Sequence, residues 1–174
     1  MQKLILFPLP AMRLMSYADS GTPYGATWSY ERHPPKYAFY HSWQSNGRPE
    51  YWASETKRQP VLHYDWPNPR VLAKIGFSNR YPCPEWNGKD APNACYKQSP
   101  RAFQVVGSNR DHMGWTTLLD VRDAGFTTAN QFRAWIIPKK NRQPFSRIGI
   151  RFKTSIGPHT VSVTNVKMWE EVML

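Results

Sequence analysis

The clearest pattern along this chain is a series of short apolar runs separated by polar turns in residues 103–152. Two runs flank the polar loop at 107–111, and a third at 131–137 leads through a basic turn at 139–142 into a fourth at 147–152. None of the runs keeps the spacing of an amphipathic helix, about 3.6 residues. The pattern therefore predicts β-strands joined by turns.

The alternation within these runs indicates which side chains face a core. In the strand at 147–152, Ile148, Ile150 and Phe152 share one face, because successive side chains of a strand point to opposite sides. The strand at 131–137 carries apolar residues on both faces, which fits a sandwich of two packed sheets. On the other face of the strand at 147–152, Arg147 and Arg151, followed by Lys153, would face solvent or a second layer.

Further strand-like runs lie at 52–55, 62–66, 71–80 and 160–169, and we assign a first strand to 3–7. The 16 prolines stand mostly between apolar runs, and each would cost a helix interior about 3 kcal/mol. A chain of 174 residues suits one domain with its own core. We predict a single all-β domain, built as an antiparallel β-sandwich.

Four short motifs follow one another in an informative order: W-A-S-E at 52–55, V-L-A-K-I-G-F-S-N-R at 71–80, G-S-N-R-D with W-T-T-L at 107–118, and R-I-G-I at 147–150. Their order and spacing resemble the discoidin domain. This is the coagulation factor five/eight type C domain of the galactose-binding-like jelly-roll superfamily. The resemblance covers residues 28–172 and leaves 1–27 as a strand and an irregular lead-in.

The resemblance implies a jelly roll whose loops at one end hold a ligand. The polar stretches at 17–51, 78–99 and 109–114 would supply that end. It also implies a domain that binds without catalysing. In agreement, the sequence has no G-x-S-x-G, H-E-x-x-H or P-loop motif, and its five histidines are scattered. We therefore predict a non-catalytic recognition module and no enzyme.

Aromatic residues in the polar stretches are the candidate ligand contacts. Sugar sites combine a flat aromatic face with donors and acceptors for the hydroxyl groups, and arginine binds carboxylate or sulfate through paired hydrogen bonds. The predicted ligand-binding residues are Trp43, Arg48, Arg80, Tyr81, Trp86, Asn87, Arg110 and His112. For Trp43 and Trp86, ligand contact and structural packing stay equal alternatives. The remaining tryptophans of the strand runs are assigned to the core: Trp52, Trp115, Trp135 and Trp169.

The net charge of +11 bears on the partner. A basic surface favours encounters with polyanions, although ordinary solubility explains the charge equally well. The basic residues are dispersed without a run of five, so no specific nucleic-acid partner is expected. The predicted ligand is a glycan, and the charge favours an acidic one. The alternative is a structural module that docks onto an acidic protein surface or filament within a larger assembly.

The two cysteines, Cys83 and Cys95, lie in one polar, proline-rich segment. A pair this close in sequence is compatible with a disulfide. Two reduced thiols fit an intracellular protein almost as well, so both alternatives stay open.

No metal and no other cofactor are predicted. Many discoidin-like domains hold a structural calcium through an aspartate in the first loop. At the matching place here stands Tyr40, although Glu170 or Glu171 remains near the C-terminus. Because one hard anionic ligand is missing, structural calcium is disfavoured.

The resemblance implies an extracellular protein, but the N-terminal apolar run at 4–7 is too short for a signal peptide. An intracellular assembly therefore stays open. No apolar run approaches the about 18 residues of a membrane span. Met113 and Trp115 beside Arg110 form one apolar tip, which gives a weaker case for peripheral contact with a membrane surface.

Overall fold

The computed structural model describes residues 11–15, 24–39, 50–80, 95–109, 114–157 and 160–172. In these ranges the chain forms nine strands: β1 Ala11–Leu14, β2 Tyr24–Ala26, β3 Trp52–Glu55, β4 Val61–Asn79, β5 Pro100–Ser108, β6 Thr116–Val121, β7 Phe132–Ile136, β8 Pro144–Ser155 and β9 Thr160–Val172. Its helical elements there are short: α1 Lys36–Phe39 and 3-10 turns at Thr56–Arg58 and Lys139–Asn141. None of the described helices is long and apolar enough to cross a membrane. The strand predicted at 3–7 lies outside the described residues.

The strands form two antiparallel layers. In the first, which we call the β9 sheet, β1 and β3 pair along one side of β9, and the second half of β4 and then β7 follow on the other side. In the second, the β8 sheet, the order is β2, the first half of β4, β8, β5 and β6. The predicted antiparallel β-sandwich is confirmed.

Strand β4 connects the two layers. Its register with β8 shifts between Asp65 and Arg70, where Pro67 and Pro69 remove two backbone donors from the ladder. The runs predicted as separate strands at 62–66 and 71–80 are therefore halves of one bent strand.

The core lies between the layers and is rich in aromatic residues. Ile148, Ile150 and Phe152 are fully buried, which confirms the faces predicted from the alternation. Trp52 is also fully buried and packs on Phe152 with ring centroids 5.3 Å apart. Its predicted place in the core is therefore confirmed.

The other three tryptophans assigned to the core lie in different places. Trp135 is partly buried and packs against the aromatic core. Trp169 lies instead on the outer face of the β9 sheet, where the Lys74 ammonium is 4.0 Å from its ring centroid. Trp115 lies against His63, with ring centroids 6.0 Å apart, on the outer face of the β8 sheet. The core assignment was wrong for these two, because an outer face can also shield an indole ring.

The strand register defines two opposite ends of the sandwich. Both termini of β4 lie at one end, which we call the cleft end, together with the starts of β5 and β9. The chain on either side of the stretch at 109–114 lies at the opposite end, because Ser108 pairs with Arg147 and Gly107 with Thr116. The prediction that all three polar stretches supply one end is therefore wrong for this stretch.

Candidate ligand-binding site

The segment after β2 is fixed by backbone hydrogen bonds at the cleft end. The Thr27 amide donates to the Val61 carbonyl at 3.0 Å, and the Tyr30 amide donates to the Ala53 carbonyl at 3.0 Å. The Val61 amide in turn donates to the Thr27 hydroxyl oxygen at 3.0 Å. Residues 27–30 are thereby held across the start of β4 and along β3.

This segment and β3 enclose a cleft of about 230 Å³, which we call the aromatic cleft; it is lined by Trp28, Ser29, Tyr30, Ser54, Glu55 and Arg58. Trp28 and Tyr30 are 50% and 39% exposed, respectively. The indole N–H of the buried Trp52 donates to the Ser29 hydroxyl at 2.7 Å, which anchors the segment between the two exposed rings.

Charged groups hold the Trp28 ring in place. The Arg58 guanidinium lies 4.0 Å from the ring centroid, and its Nε is 3.6 Å from Glu55 Oε2. Lys57 Nζ is 3.0 Å from the same oxygen. One face of the indole is therefore covered by a cation, and a flat ligand would stack on the other face.

Ser54 supplies a buried polar group to this cleft. The residue is 1% exposed, and its hydroxyl has no hydrogen-bond partner among the described residues. Leaving a buried hydroxyl unpaired costs about 1–3 kcal/mol. Because the hydroxyl oxygen is itself buried, a ligand in the aromatic cleft reaches it only if the cleft wall shifts.

A second cleft of about 160 Å³ adjoins the first, and we call it the cationic cleft; it is lined by Tyr30, His33, Tyr51, Ala53, Arg80, Gln98 and Thr160. Its walls come from distant parts of the chain: the segment after β2, β3, the end of β4, the approach to β5 and the start of β9. Tyr30 belongs to both clefts.

Stacked rings and one guanidinium make up the cationic cleft. The Arg80 guanidinium is 4.1 Å from the Tyr51 ring centroid, and its Nη1 donates to Gln98 Oε1 at 2.5 Å. The His33 ring stacks on Tyr51 with centroids 4.2 Å apart, and its Nε2 is 3.1 Å from the Tyr51 hydroxyl oxygen. The Ser162 hydroxyl also donates to Gln98 Oε1, at 2.8 Å, which fixes the amide that orients Arg80.

Within its described lining, this cleft carries one permanent positive charge. Burial lowers the pKa of His33, and Arg80 and Arg32 lower it further against the opposite effect of Glu50. Burial raises the pKa of Tyr51 despite Arg80. Burial also lowers the pKa of Arg80, but arginine starts so high that it stays charged. At neutral pH, Arg80 is therefore a cation beside an uncharged imidazole and phenol.

The structure describes one of the eight predicted ligand-binding residues, Arg80, and places it in the cationic cleft. Its role in binding stays a prediction. The other seven lie outside the described residues: Trp43, Arg48, Tyr81, Trp86, Asn87, Arg110 and His112. The sequence did not single out Trp28, Tyr30, Arg58 and Gln98, which line the two clefts. The run T-W-S-Y-E-R-H at 27–33 was the available signal, because it places aromatic and charged residues side by side.

Cys95 is fully buried and disulfide-bonded. Cys83, the other cysteine of the chain, lies outside the described residues. Among the residues that the structure describes, no three His, Cys, Asp or Glu side chains come together as a metal site would require.

Solved structures with similar folds include several sugar-binding modules. The family 32 carbohydrate-binding module of AlyQ, in complex with 4,5-unsaturated mannuronic acid, has a TM-score of 0.60 and 11% identity, covering 90% of this chain and 97% of that one. The family 32 module of C. perfringens NanJ, in complex with galactose, has a TM-score of 0.56 and 12% identity, covering 84% and 92%. An F5/8 type C domain from Bacteroides fragilis has a TM-score of 0.61 and 9% identity, covering 92% and 97%.

No protein-family model matches the chain, and no curated protein matches it. At 9–12% identity the likeness to these three structures concerns the fold. The resemblance noted in the sequence motifs is confirmed at that level. The chain has the discoidin-like jelly-roll fold found in family 32 carbohydrate-binding modules and in F5/8 type C domains.

Proposed function

We propose that this chain is a non-catalytic module that binds a glycan at the cleft end of its jelly roll. The observation that carries the proposal is the aromatic cleft, where the half-exposed Trp28 ring forms a wall together with polar and charged side chains. A sugar presents an apolar ring face and several hydroxyl groups, and this cleft offers a partner to each. Glu55 and Arg58 add a carboxylate acceptor and a guanidinium donor.

Two further observations support this function. The similar structures include modules named in complex with galactose and with an unsaturated mannuronic acid. The net charge of +11 favours an acidic glycan over a neutral one, because it attracts polyanions over distance. The cationic cleft beside Trp28 provides a place for the negative group.

A glycan array at near-physiological and at high salt tests the proposal, with a Trp28→Ala protein screened in parallel. We expect binding to defined sugars that persists at high salt and that Trp28→Ala weakens. Binding restricted to sulfated glycans and lost at high salt would indicate a basic surface without a specific cleft. If no sugar on the array is bound, the proposed function is wrong.

The alternative function, docking onto an acidic protein, has its own support on the outer face of the β9 sheet. Leu14, Trp169, Lys74 and Ile136 lie in one row across four strands, and Leu14 and Ile136 are 49% and 61% exposed. The comparisons do not favour this alternative. Titration with poly-glutamate, followed by residue-resolved NMR, tests it. Shifts confined to this face would support it, and shifts confined to the cationic cleft would count against it.

A further inference from the structure

Strand β7 forms one edge of the β9 sheet. It pairs with β4 along one side, and no other strand in the described part of the chain pairs with it. The Ile137 amide donates to the Ala73 carbonyl at 2.9 Å, and the Asn79 amide donates to the Gln131 carbonyl at 3.2 Å. Because the backbone groups of a strand alternate in direction, the odd-numbered residues of β7 bond to β4. The amides and carbonyls that point away from the sheet belong to the even-numbered residues: Phe132, Ala134 and Ile136.

This edge lacks the features that usually protect a strand from further pairing. Such features are lysines, prolines and bulges, but β7 contains neither lysine nor proline, and its register with β4 runs without a shift. On the outer face, Phe132 and Ile136 are 40% and 61% exposed, with the exposed Ala134 between them. The edge strand of the β8 sheet, β6, differs, because its register with β5 shifts and it carries the exposed Asp120. Another strand can therefore add to β7.

The sequence of β7 is complementary to itself. In an antiparallel pair centred on Ala134, the two alanines lie opposite each other, and Phe132 lies opposite Ile136 of a second copy. Each of these pairs exchanges two backbone hydrogen bonds, and an aromatic residue opposite a β-branched one stabilises a sheet. The same register places Arg133 opposite Trp135 of the second copy, so no two guanidinium groups lie directly opposite each other.

We infer that two copies of this chain associate through β7, which pairs antiparallel about a twofold axis at Ala134 and joins the two β9 sheets into one. The partner is a second copy because the chain itself supplies the matching strand, with large side chains opposite large ones and small opposite small. Two five-residue strands bury less than the about 1,200 Å² of a stable interface. The dimer is therefore weak, with a Kd on the order of 100 µM.

The dimer would hold its two cleft ends on opposite sides. Phe132 marks the cleft end of β7, because it pairs with Ser78 close to the end of β4, and antiparallel pairing reverses this direction in the second copy. Two glycan-bearing surfaces would then be linked by one dimer. Only this consequence rests on the proposed glycan-binding function, since the pairing itself needs no ligand.

Sedimentation equilibrium of the full chain tests the inference from about 10 µM to about 1 mM protein, a range that brackets the expected Kd. We expect the average mass to rise from that of one chain towards that of two. Each copy carries a net charge of +11, and salt screens the repulsion between them. The Kd should therefore fall several-fold as the salt is raised. In NMR hydrogen exchange, the amides of Phe132, Ala134 and Ile136 should exchange more slowly at the higher protein concentration.

Substitutions at the twofold axis then test the register. Ala134→Lys places two ammonium groups opposite each other, and Ala134→Glu places two carboxylates there, so each variant alone should raise the Kd about tenfold or more. An equimolar mixture of the two should associate again, because lysine then faces glutamate. Leu14→Lys is the matched control, since it adds the same charge to the same outer face at the other edge of the sheet. It should leave the Kd unchanged, and urea unfolding checks that each variant is folded.

Several results would overturn the inference. A chain that stays monomeric at every concentration would leave the edge to a strand of another protein. Equal losses in Ala134→Lys and Leu14→Lys would place the contact on the sheet face instead of its edge. A mixture of the Lys and Glu variants that associates no better than either alone would exclude the register centred on Ala134. If the Ala134 variants fail to fold, unchanged exchange of the three amides in the unaltered protein would still refute the pairing.

Discussion

Truncating Trp28 to alanine should weaken glycan binding by about tenfold. A tryptophan side chain contributes about 150–250 Å² of contact surface, and Trp28 is 50% exposed. About 100 Å² is therefore open to a ligand, and a sugar ring that covers half of it removes about 50 Å² from water. At about 25 cal/mol per Å² this is worth about 1.3 kcal/mol, which corresponds to a change in Kd of about tenfold.

The same truncation should cost little stability. Among the described residues, the cation on this ring is Arg58, 4.0 Å from the ring centroid, and an exposed cation–π pair is worth about 0.5–1 kcal/mol. Urea unfolding should therefore shift by less than about 1 kcal/mol. The matched control is Phe132→Ala, which removes a ring that is 40% exposed on the outer face of the β9 sheet. It should leave the Kd unchanged.

Calorimetric titration of the three proteins with the best sugar from the array provides the measurement. A Trp28→Ala protein that folds and binds as tightly as the parent would show that the indole does not stack on the sugar. Equal losses of sugar affinity in Trp28→Ala and Phe132→Ala would mean that binding responds to a general loss of stability. Either result would refute the assignment of the aromatic cleft as the sugar site. Trp86→Ala belongs in the same series, because Trp86 is one of the ligand-binding residues predicted from the sequence.

Three further predictions concern stability and pH. Asn79 is fully buried, and its side chain is hydrogen-bonded to Ser99, the Thr128 carbonyl and the Gln131 amide. Asn79→Ala should therefore lower the free energy of unfolding in urea by about 3 kcal/mol. A loss below about 1 kcal/mol would contradict this network. Burial opposes ionisation of Asp65, but hydrogen bonds from Arg147 and His63 prevail and lower its pKa. Asp65→Asn should thus cost about 2 kcal/mol at pH 7, and this difference should shrink as the pH falls below about 4 towards the lowered pKa. Folding lowers the pKa of His33, so the unfolded state binds more protons than the folded state just below about pH 6.5. The free energy of unfolding should therefore fall with decreasing pH in that range. His33→Gln should flatten this decline, and an unchanged slope would contradict the assignment to His33.

The strands were predictable because their information is local. The alternation in β8 places Ile148, Ile150 and Phe152 inward whatever the rest of the chain does, and the structure buries all three. The continuity of β4 was not predictable in this way. Pro67 and Pro69 suggest a break between two strands, and only pairing of both halves in two sheets shows a single bent strand.

The outer faces explain why tryptophan assignments failed. An alternating pattern identifies two faces, but it does not say how a large ring on the outer face is satisfied. On β9, Lys74 from the neighbouring strand covers the Trp169 ring. That arrangement depends on the register between β4 and β9, which the sequence of neither strand contains.

The clefts were the least predictable part of the molecule, and the reason bears on how their function should be tested. The Arg80 guanidinium, the Tyr51 ring and the His33 imidazole come from three separate segments, so no spacing in the sequence reveals their stack. Arg80 was predicted from the sequence for its charge and its paired hydrogen-bond donors, and the fold adds the ring that orients it. If orientation matters, Arg80→Lys should bind acidic glycans from the array more weakly than the parent although the charge is conserved. A full retention of affinity in Arg80→Lys would mean that charge alone attracts the ligand.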